Sequence, residues 1–140
     1  RASLGRIACL AMNAAEAAAL TGARAATPGA WPALLHEAGL AGGLVSAGAG
    51  PVAAFSADGT CLLAPPPLKR LEDVTGAGDA LASGYLDGLL SGGSLADNLV
   101  RGIALARLTA GVRGPVRPDL SQALLAQALS AMPKPVSIKV

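Results

Sequence analysis

One short stretch of the chain combines small residues and carboxylates in a pattern suited to phosphate chemistry. Residues 73–79 read Asp-Val-Thr-Gly-Ala-Gly-Asp. The small residues Gly76, Ala77 and Gly78 let backbone N–H groups crowd around an anion, and a helical pattern beginning near Asp79 points its positive dipole end at the same place. We therefore predict a phosphate-binding turn at this junction.

The acidic residue in this turn needs a separate explanation. A carboxylate at Asp79 would repel a bound polyphosphate, so phosphate binding alone does not account for it. The simplest chemical role is that of a general base, which takes a proton from a hydroxyl attacking the phosphate. The structural alternative is an ordinary glycine-rich turn capped by an aspartate.

The elements before this junction are predicted to be strands and short helices. Apolar runs bounded by turn residues indicate buried strands, and Asp58-Gly59 indicates a hairpin. The predicted strands are Arg6–Met12, Gly43–Ala47, Val52–Ala57 and Thr60–Ala64, and the predicted helices are Ala14–Leu20 and Ala30–Ala38. The prolines at 65–67 end the last strand.

The elements after the junction are predicted to be helical. A helix over Ala80–Ser91 buries one face, formed by Leu81, Ala82, Tyr85, Leu86, Leu89 and Leu90. A second helix begins at a capping box of Ser94 and Asp97, is buried through Leu95, Leu99 and Ile103, and ends at Gly111. A third runs from Asp119 to Met132, buried through Leu120, Leu124 and Leu129. Strands followed by a helical layer predict an α/β sandwich.

Composition excludes several classes of function. The 140 residues fit one domain or part of one, and 52% are hydrophobic. A net charge of +2 with dispersed lysines and arginines indicates neither a nucleic-acid nor a membrane partner. The uncharged stretch 38–57 divides into two strands because glycines and Pro51 interrupt it. Cys9 and Cys61 lie far apart in apolar runs, which favours a reduced, cytoplasmic protein.

The motifs resemble those of a known family. Residues 73–86, Asp-Val-Thr-Gly-Ala-Gly-Asp-Ala-Leu-Ala-Ser-Gly-Tyr-Leu, resemble the C-terminal signature of the PfkB, or ribokinase-like, carbohydrate kinases. Residues 13–16, Asn-Ala-Ala-Glu, are similar to the family's Asn-x-x-Glu motif, and residues 45–48 stand where the family has a strand ending in a nucleotide loop. The resemblance is to the C-terminal, nucleotide-binding part of such a kinase. It implies a three-layer α/β/α sandwich, of which 1–140 would be a single domain.

The resemblance also implies a role for each matching residue. Asp79 would be the catalytic base, and the N–H groups of Gly76, Ala77 and Gly78 would form the anion hole. The other implied residues are Asn13, Ser46 and Gly48 for ATP, with Gly78 and Asp79 beside them, Glu16 for Mg²⁺ through water, and Asp73 and Thr75 for a monovalent cation such as K⁺. Pro51 departs from the family loop, which commonly has a second glycine there.

Structural alternatives exist for several of these residues. Asn13 and Glu16 have the spacing of a capping box, and the two roles can coexist. Asp73 and Thr75 can simply shape the loop. His36 and Trp31 are predicted to be structural. The Gly-x-Gly-x-x-Ala pattern at 48–53 resembles a dinucleotide-binding turn, but a strand follows it in place of the required helix.

The sequence thus predicts an ATP-dependent kinase for a hydroxyl of a small sugar or nucleoside. The residue types at positions 74–79 resemble the corresponding motif of pseudouridine kinases somewhat more than that of ribokinases. The first alternative is a non-catalytic remnant of the same fold that only binds nucleotide. The second is an NAD(P)-binding oxidoreductase. Because the chain begins with Arg1 and holds no candidate sugar-binding cluster, we expect an upstream portion to be missing and the 140-residue chain alone to be inactive. The expected partner is a small-molecule substrate, and a homodimer of the full-length protein stays open.

Overall fold

A computed structural model describes residues 3–138 of the chain. The chain divides into two compact units. The first contains the residues up to Ala64 together with those from Pro135 onward, and the second is Pro65–Lys134. Each unit has its own set of secondary-structure elements.

The first unit is built on a five-stranded mixed sheet. Its strands are β1 (Leu10–Asn13), β2 (Gly43–Ser46), β3 (Val52–Ser56), β4 (Gly59–Leu63) and β5 (Val136–Ile138), and their order in the sheet is the order in the chain. β1 and β2 are parallel, and every later pair is antiparallel. A parallel pair requires a crossover connection. Two helices, α1 (Ala14–Thr21) and α2 (Trp31–Glu37), lie in that connection.

The strand predictions hold with changed boundaries. The predicted strand Arg6–Met12 begins only at Leu10, because a 3₁₀ turn at Leu4–Arg6 precedes it. The hairpin turn lies at residues 57–58, and Gly59, with φ 133°, is already the first residue of β4. β5 was not predicted, since three mostly exposed residues after a proline-rich stretch carry no periodic pattern.

A cluster of apolar side chains fills the core of the first unit. Its buried members are Met12, Ala17, Trp31, Leu35, Leu40, Val45 and Phe55. Phe55 is fully buried, and removing such a side chain from water contributes about 2 to 3 kcal/mol. The ring of His36 packs edge-on against the ring of Phe55, with 4.9 Å between the two ring centroids. The Nδ1 atom of His36 lies 3.0 Å from the Leu40 carbonyl oxygen. The structural roles predicted for Trp31 and His36 are therefore confirmed.

The second unit is helical, as predicted, with α3 (Ala77–Leu90), α4 (Leu95–Ala110) and α5 (Gln122–Ser130). α4 begins at Ser94, whose Oγ accepts a hydrogen bond from the Asp97 N–H, and it ends at Gly111. The third helix is shorter than predicted because the Ser121 side chain caps it. On this helix Leu125 is buried and Leu124 and Leu129 are half-buried, whereas Leu120 is exposed and precedes the helix, which corrects the predicted face.

The buried face of α3 also differs from the prediction. Leu81 and Tyr85 are buried, but Leu86, Leu89 and Leu90 are exposed. The reason is close packing through glycine: a Cβ on Gly84 would lie 2.8 Å from the Arg101 carbonyl oxygen. Because glycine lets α3 and α4 approach this closely, the face of α3 that carries Gly84 is the buried one. The periodicity of the leucines alone does not identify this face.

No described helix is both long enough and apolar enough to cross a membrane. The uncharged stretch 38–57 contains the whole of β2 and of β3, as predicted.

Candidate active site

The glycine-rich turn leads directly into α3. Gly76 is the N-cap residue, with φ 77° and ψ −5°, a left-handed conformation that favours glycine. The helix starts at Ala77, two residues earlier than the predicted start near Asp79, and the Ala80 N–H donates to the Gly76 carbonyl at 2.9 Å. Asp79 therefore lies in the first helical turn.

The backbone N–H groups of this turn are not equivalent. The Ala77 N–H donates to the Val74 carbonyl at 3.1 Å, so one member of the predicted three-membered anion hole already has a protein acceptor. Within residues 3–138, the N–H groups of Gly76, Gly78 and Asp79 have no such acceptor, and those of Gly78 and Asp79 belong to the first turn of α3. Helix N-termini leave these donors unpaired and add a positive dipole end. The two groups could hold the oxygens of a phosphate.

The space in front of the two free N–H groups is open. Gly78 is exposed, and a Cβ built on it would meet no atom within 4 Å. Asp79 is also exposed, and its carboxylate forms no hydrogen bond or ion pair with any described residue. A carboxylate with no competing partner can contact a substrate hydroxyl directly, as a general base must. The geometry thus fits both halves of the predicted site: donors for an anion and an acceptor for a proton.

The carboxylate of Asp73 organises the loop before α3. Its Oδ1 accepts a hydrogen bond from the Thr75 N–H at 2.8 Å, and its Oδ2 accepts one from the Gly114 N–H at 3.1 Å. These hydrogen bonds, first those from Thr75 and then that from Gly114, hold the pKa of Asp73 below its usual range. The loop-shaping role is therefore present. Each oxygen keeps a lone pair, so a cation role remains compatible with it.

The loop after α4 is the part of this region that the sequence analysis missed. Pro115 packs against the turn so closely that a Cβ on Gly76 would overlap the Pro115 carbonyl oxygen and lie 2.8 Å from its Cα. The Glu72 N–H donates to the Ala110 carbonyl at 3.0 Å, which joins the same two segments again. The glycines and prolines at 111–118 were the available signal, since such residues often let two backbones approach.

The remaining predicted residues lie in the first unit. Asn13 and Ser46 are register partners at the ends of the parallel strands β1 and β2. Gly48 follows in a turn with φ 58°. After this turn the chain enters β3, antiparallel to β2, so the dinucleotide-type turn lacks the helix it requires.

The predicted capping box at Asn13 and Glu16 is present. The Glu16 N–H donates to Asn13 Oδ1 at 2.9 Å, and the Asn13 N–H donates to Glu16 Oε2 at 2.8 Å. Both residues are exposed, and no described residue donates to Glu16 Oε1. A hard carboxylate oxygen suits Mg²⁺ or its bound water. Across residues 3–138, no group of three or more His, Cys, Asp and Glu side chains is arranged to hold a metal alone. A metal bound here would need ligands from a nucleotide or water.

Neither Cys9 nor Cys61 forms a disulfide bond. Burial raises the pKa of Cys61 to about 11 and raises that of Cys9 as well, so neither thiol has the depressed pKa of a reactive cysteine. Cysteine chemistry therefore takes no part in the candidate site.

The sheet, its helices and the acidic glycine turn define an α/β protein with a candidate phosphate site. Comparison with family models gives the class a name: residues 2–122 match the model described as pfkB family carbohydrate kinase. Because the match covers most of the chain, the chain belongs to the pfkB family of carbohydrate kinases. Comparison with curated proteins gave no significant match.

Solved structures agree with this family. A carbohydrate kinase from Agrobacterium tumefaciens is 40% identical, with a TM-score of 0.81, over 98% of this chain and 43% of that chain. A ribokinase from Arabidopsis thaliana, complexed with ribose and ATP, is 26% identical, with a TM-score of 0.79, over 90% and 42%. An adenosine kinase from Sinorhizobium meliloti is 26% identical, with a TM-score of 0.75, over 93% and 38%. The predicted ribokinase-like fold is confirmed, and the chain spans about two fifths of the length of these proteins.

Proposed function

We propose that the chain is the nucleotide-binding part of an ATP-dependent kinase that phosphorylates a hydroxyl of a small sugar or nucleoside. The observation that carries this proposal is the Asp79 carboxylate in the first turn of α3, beside the N–H groups of Gly78 and Asp79, none of which has a hydrogen-bond partner among the described residues. Phosphoryl transfer needs donors for the developing negative charge and a base for the hydroxyl proton. This short segment would supply both.

In the proposed reaction, the terminal phosphoryl group of ATP lies before the N-terminus of α3. The N–H groups of Gly78 and Asp79 donate to its oxygens. The substrate hydroxyl gives its proton to Asp79 while its oxygen bonds to phosphorus and the bond to the leaving ADP oxygen breaks. Protonation of Asp79 removes the repulsion between its carboxylate and the phosphates, so the site is better matched to the reacting complex than to ATP alone.

The other predicted residues keep the roles that the family resemblance implies. Asn13, Ser46 and Gly48 would contribute to nucleotide binding, and Glu16 would hold Mg²⁺ through water. Bound Mg²⁺ would neutralise part of the phosphate charge. Asp73 and Thr75 would hold K⁺ or another monovalent cation in addition to shaping the loop.

For the substrate we propose a sugar or nucleoside of the ribose or pseudouridine type. Similarity to a ribokinase and to an adenosine kinase supports this class. The preference for pseudouridine over ribose as the substrate depends only on residues 74–79. We also propose a cytoplasmic location, which the reduced state of Cys9 and Cys61 supports.

Thermal unfolding with added nucleotides tests the proposal. Mg²⁺-ATP should raise the Tm by mass action, and NADH and NADPH should leave it unchanged. A coupled ADP-release assay of the full-length protein over ribose, fructose, ketodeoxygluconate, adenosine and pseudouridine then identifies the substrate. Stabilisation by a dinucleotide without any by ATP would overturn the proposal. ATP binding without transfer to any of these acceptors would favour a non-catalytic nucleotide-binding role.

A further inference from the structure

The loop after α4 holds an arginine beside the candidate phosphate site. Gly114 donates its N–H to Asp73, and Pro115 packs directly on Gly76. Arg113 immediately precedes these two contacts. Its backbone is therefore fixed next to the glycine turn, although it is more than 30 residues from that turn in the sequence.

Two neighbouring arginines are occupied with structural contacts. Arg117 donates to the Leu108 carbonyl at 3.1 Å and pairs with Asp119 at 2.9 Å. Arg107 donates to the Pro67 carbonyl at 3.4 Å, and burial lowers its pKa. Neither guanidinium is free to turn towards a ligand without losing contacts that hold the backbone.

Arg113 is different because its contacts leave most of its donors unused. Its Nε lies 3.7 Å from Glu72 Oε2, and its side chain is 90% exposed. Glu72, whose side chain is only 16% exposed, also pairs with Arg70 through its other oxygen. One carboxylate between two guanidiniums leaves a net charge of +1. An ion pair this long and this exposed is worth little, so Arg113 can exchange Glu72 for a stronger acceptor.

The protein supplies no positively charged side chain within the phosphate turn itself. The side chains of residues 73–79 contribute two carboxylates, Asp73 and Asp79, and the backbone contributes only N–H groups. A polyphosphate approaching two carboxylates needs positive charge to compensate. A guanidinium offers five N–H donors in a fork that matches phosphate oxygens.

From these observations we infer that Arg113 is a phosphate-binding residue of the candidate nucleotide site, contacting the β- or γ-phosphate of ATP. This inference rests on the proposed function. A charge-assisted hydrogen bond of this kind is worth about 1.5 kcal/mol at an exposed position, which corresponds to roughly a tenfold change in affinity.

The test compares nucleotide affinities of Arg113→Gln in the full-length protein. We expect affinity for ATP to fall about tenfold and affinity for AMP, which lacks the contacted phosphates, to change less than twofold. Arg24→Gln is the matched control, because Arg24 is exposed, forms no ion pair with any described residue and follows the C-terminal end of α1, the end opposite Asn13. It should bind both nucleotides as the wild type does. Arg113→Lys keeps the charge without the fork and should give an intermediate ATP affinity, which also covers the case in which the glutamine variant fails to fold.

The outcomes separate this inference from the proposed function. If the wild type binds no ATP, the proposed function fails. If the wild type binds ATP and the folded Arg113 variants bind it equally well, only the role of Arg113 is overturned. An equal loss of ATP and AMP affinity in Arg113→Gln would also overturn it, since the effect would then not involve the phosphates.

Discussion

Asp73 and Gly114 are joined by a hydrogen bond of 3.1 Å from the Gly114 N–H to Asp73 Oδ2, across 41 residues of sequence. The other oxygen of the same carboxylate accepts the Thr75 N–H at 2.8 Å. One side chain thus fixes the start of the phosphate turn and ties it to the loop after α4. The turn that precedes Asp79 is shaped by a residue outside the anion hole.

The Asp73 contacts predict a pH-dependent part of the stability. Hydrogen bonds from Thr75 and Gly114 favour the ionised carboxylate and lower its pKa below the unfolded value of about 3.9. The stabilisation is therefore complete above that unfolded pKa and is lost as the pH falls through the folded-state pKa. Asp73→Asn should lower the Tm at neutral pH, and its Tm should approach that of the wild type in acid.

The control for this experiment is Asp58→Asn. Asp58 is exposed in the β3–β4 turn, where its N–H donates to Ser56 Oγ and its carboxylate accepts no hydrogen bond from any described residue. Its Tm should follow that of the wild type across the pH range. A constant Tm difference between Asp73→Asn and the wild type, from neutral pH into acid, would contradict the role given to the ionised carboxylate.

Two glycines of the phosphate turn, Gly76 and Gly78, should separate folding from activity. Gly76→Ala forces a left-handed residue and a clash with Pro115, and we expect it to cost about 2 to 4 kcal/mol of unfolding free energy. Gly78 has open space, so Gly78→Ala should leave stability unchanged or raise it by up to about 1 kcal/mol. Its methyl group would nevertheless crowd an anion at the free N–H groups. In the full-length protein, we expect kcat/KM for ATP to fall by about tenfold or more, because the anion would be displaced from its donors.

Denaturant unfolding and steady-state kinetics of both variants test this pair. Gly92→Ala, at another glycine with positive φ and open space, shows the cost of the backbone conformation without a clash. A Gly78→Ala variant with wild-type kinetics would place the anion elsewhere.

Local sequence signals were enough to locate the candidate site. The glycine turn before α3 and the capping box at Asn13 were both predicted from residue types at short spacing, and the structure has both. Such features depend on backbone conformation and on hydrogen bonds between residues three or four apart. Such local features can therefore be predicted from the sequence without knowledge of the tertiary fold.

Contacts between distant segments could not be predicted in this way. Nothing near Asp73 in the sequence indicates Gly114, and nothing in the leucine pattern of α3 shows that Gly84 rather than Leu86 faces α4. These depend on which backbones approach each other. The apolar periodicity correctly predicted that α3 is a helix. It wrongly assigned half of the listed side chains of α3 to the buried face.

The cap at Asn13 allows its structural and ligand roles to be distinguished. Asn13→Ala removes the side-chain acceptor for the Glu16 N–H and should cost about 1 kcal/mol of unfolding free energy. Asn13→Ser keeps a capping oxygen and should retain most of that stability. If Asn13 also binds nucleotide, Asn13→Ser should bind Mg²⁺-ATP more weakly despite its stability, as measured by calorimetric titration. Wild-type ATP affinity in the serine variant would leave the cap as the only role.

Asp79→Asn tests the base directly, because the amide keeps the shape of the side chain and cannot accept the proton. Loss of general-base catalysis is worth about 10² to 10⁴ in rate, so kcat of the full-length protein should fall by that factor. Affinity for ATP should stay equal or rise, since one negative charge beside the phosphates is removed. Asp87→Asn, on the same helix and paired with Arg101, is the control and should keep its kcat. If Asp79→Asn retained more than about a third of the wild-type kcat, another group would have to take the proton.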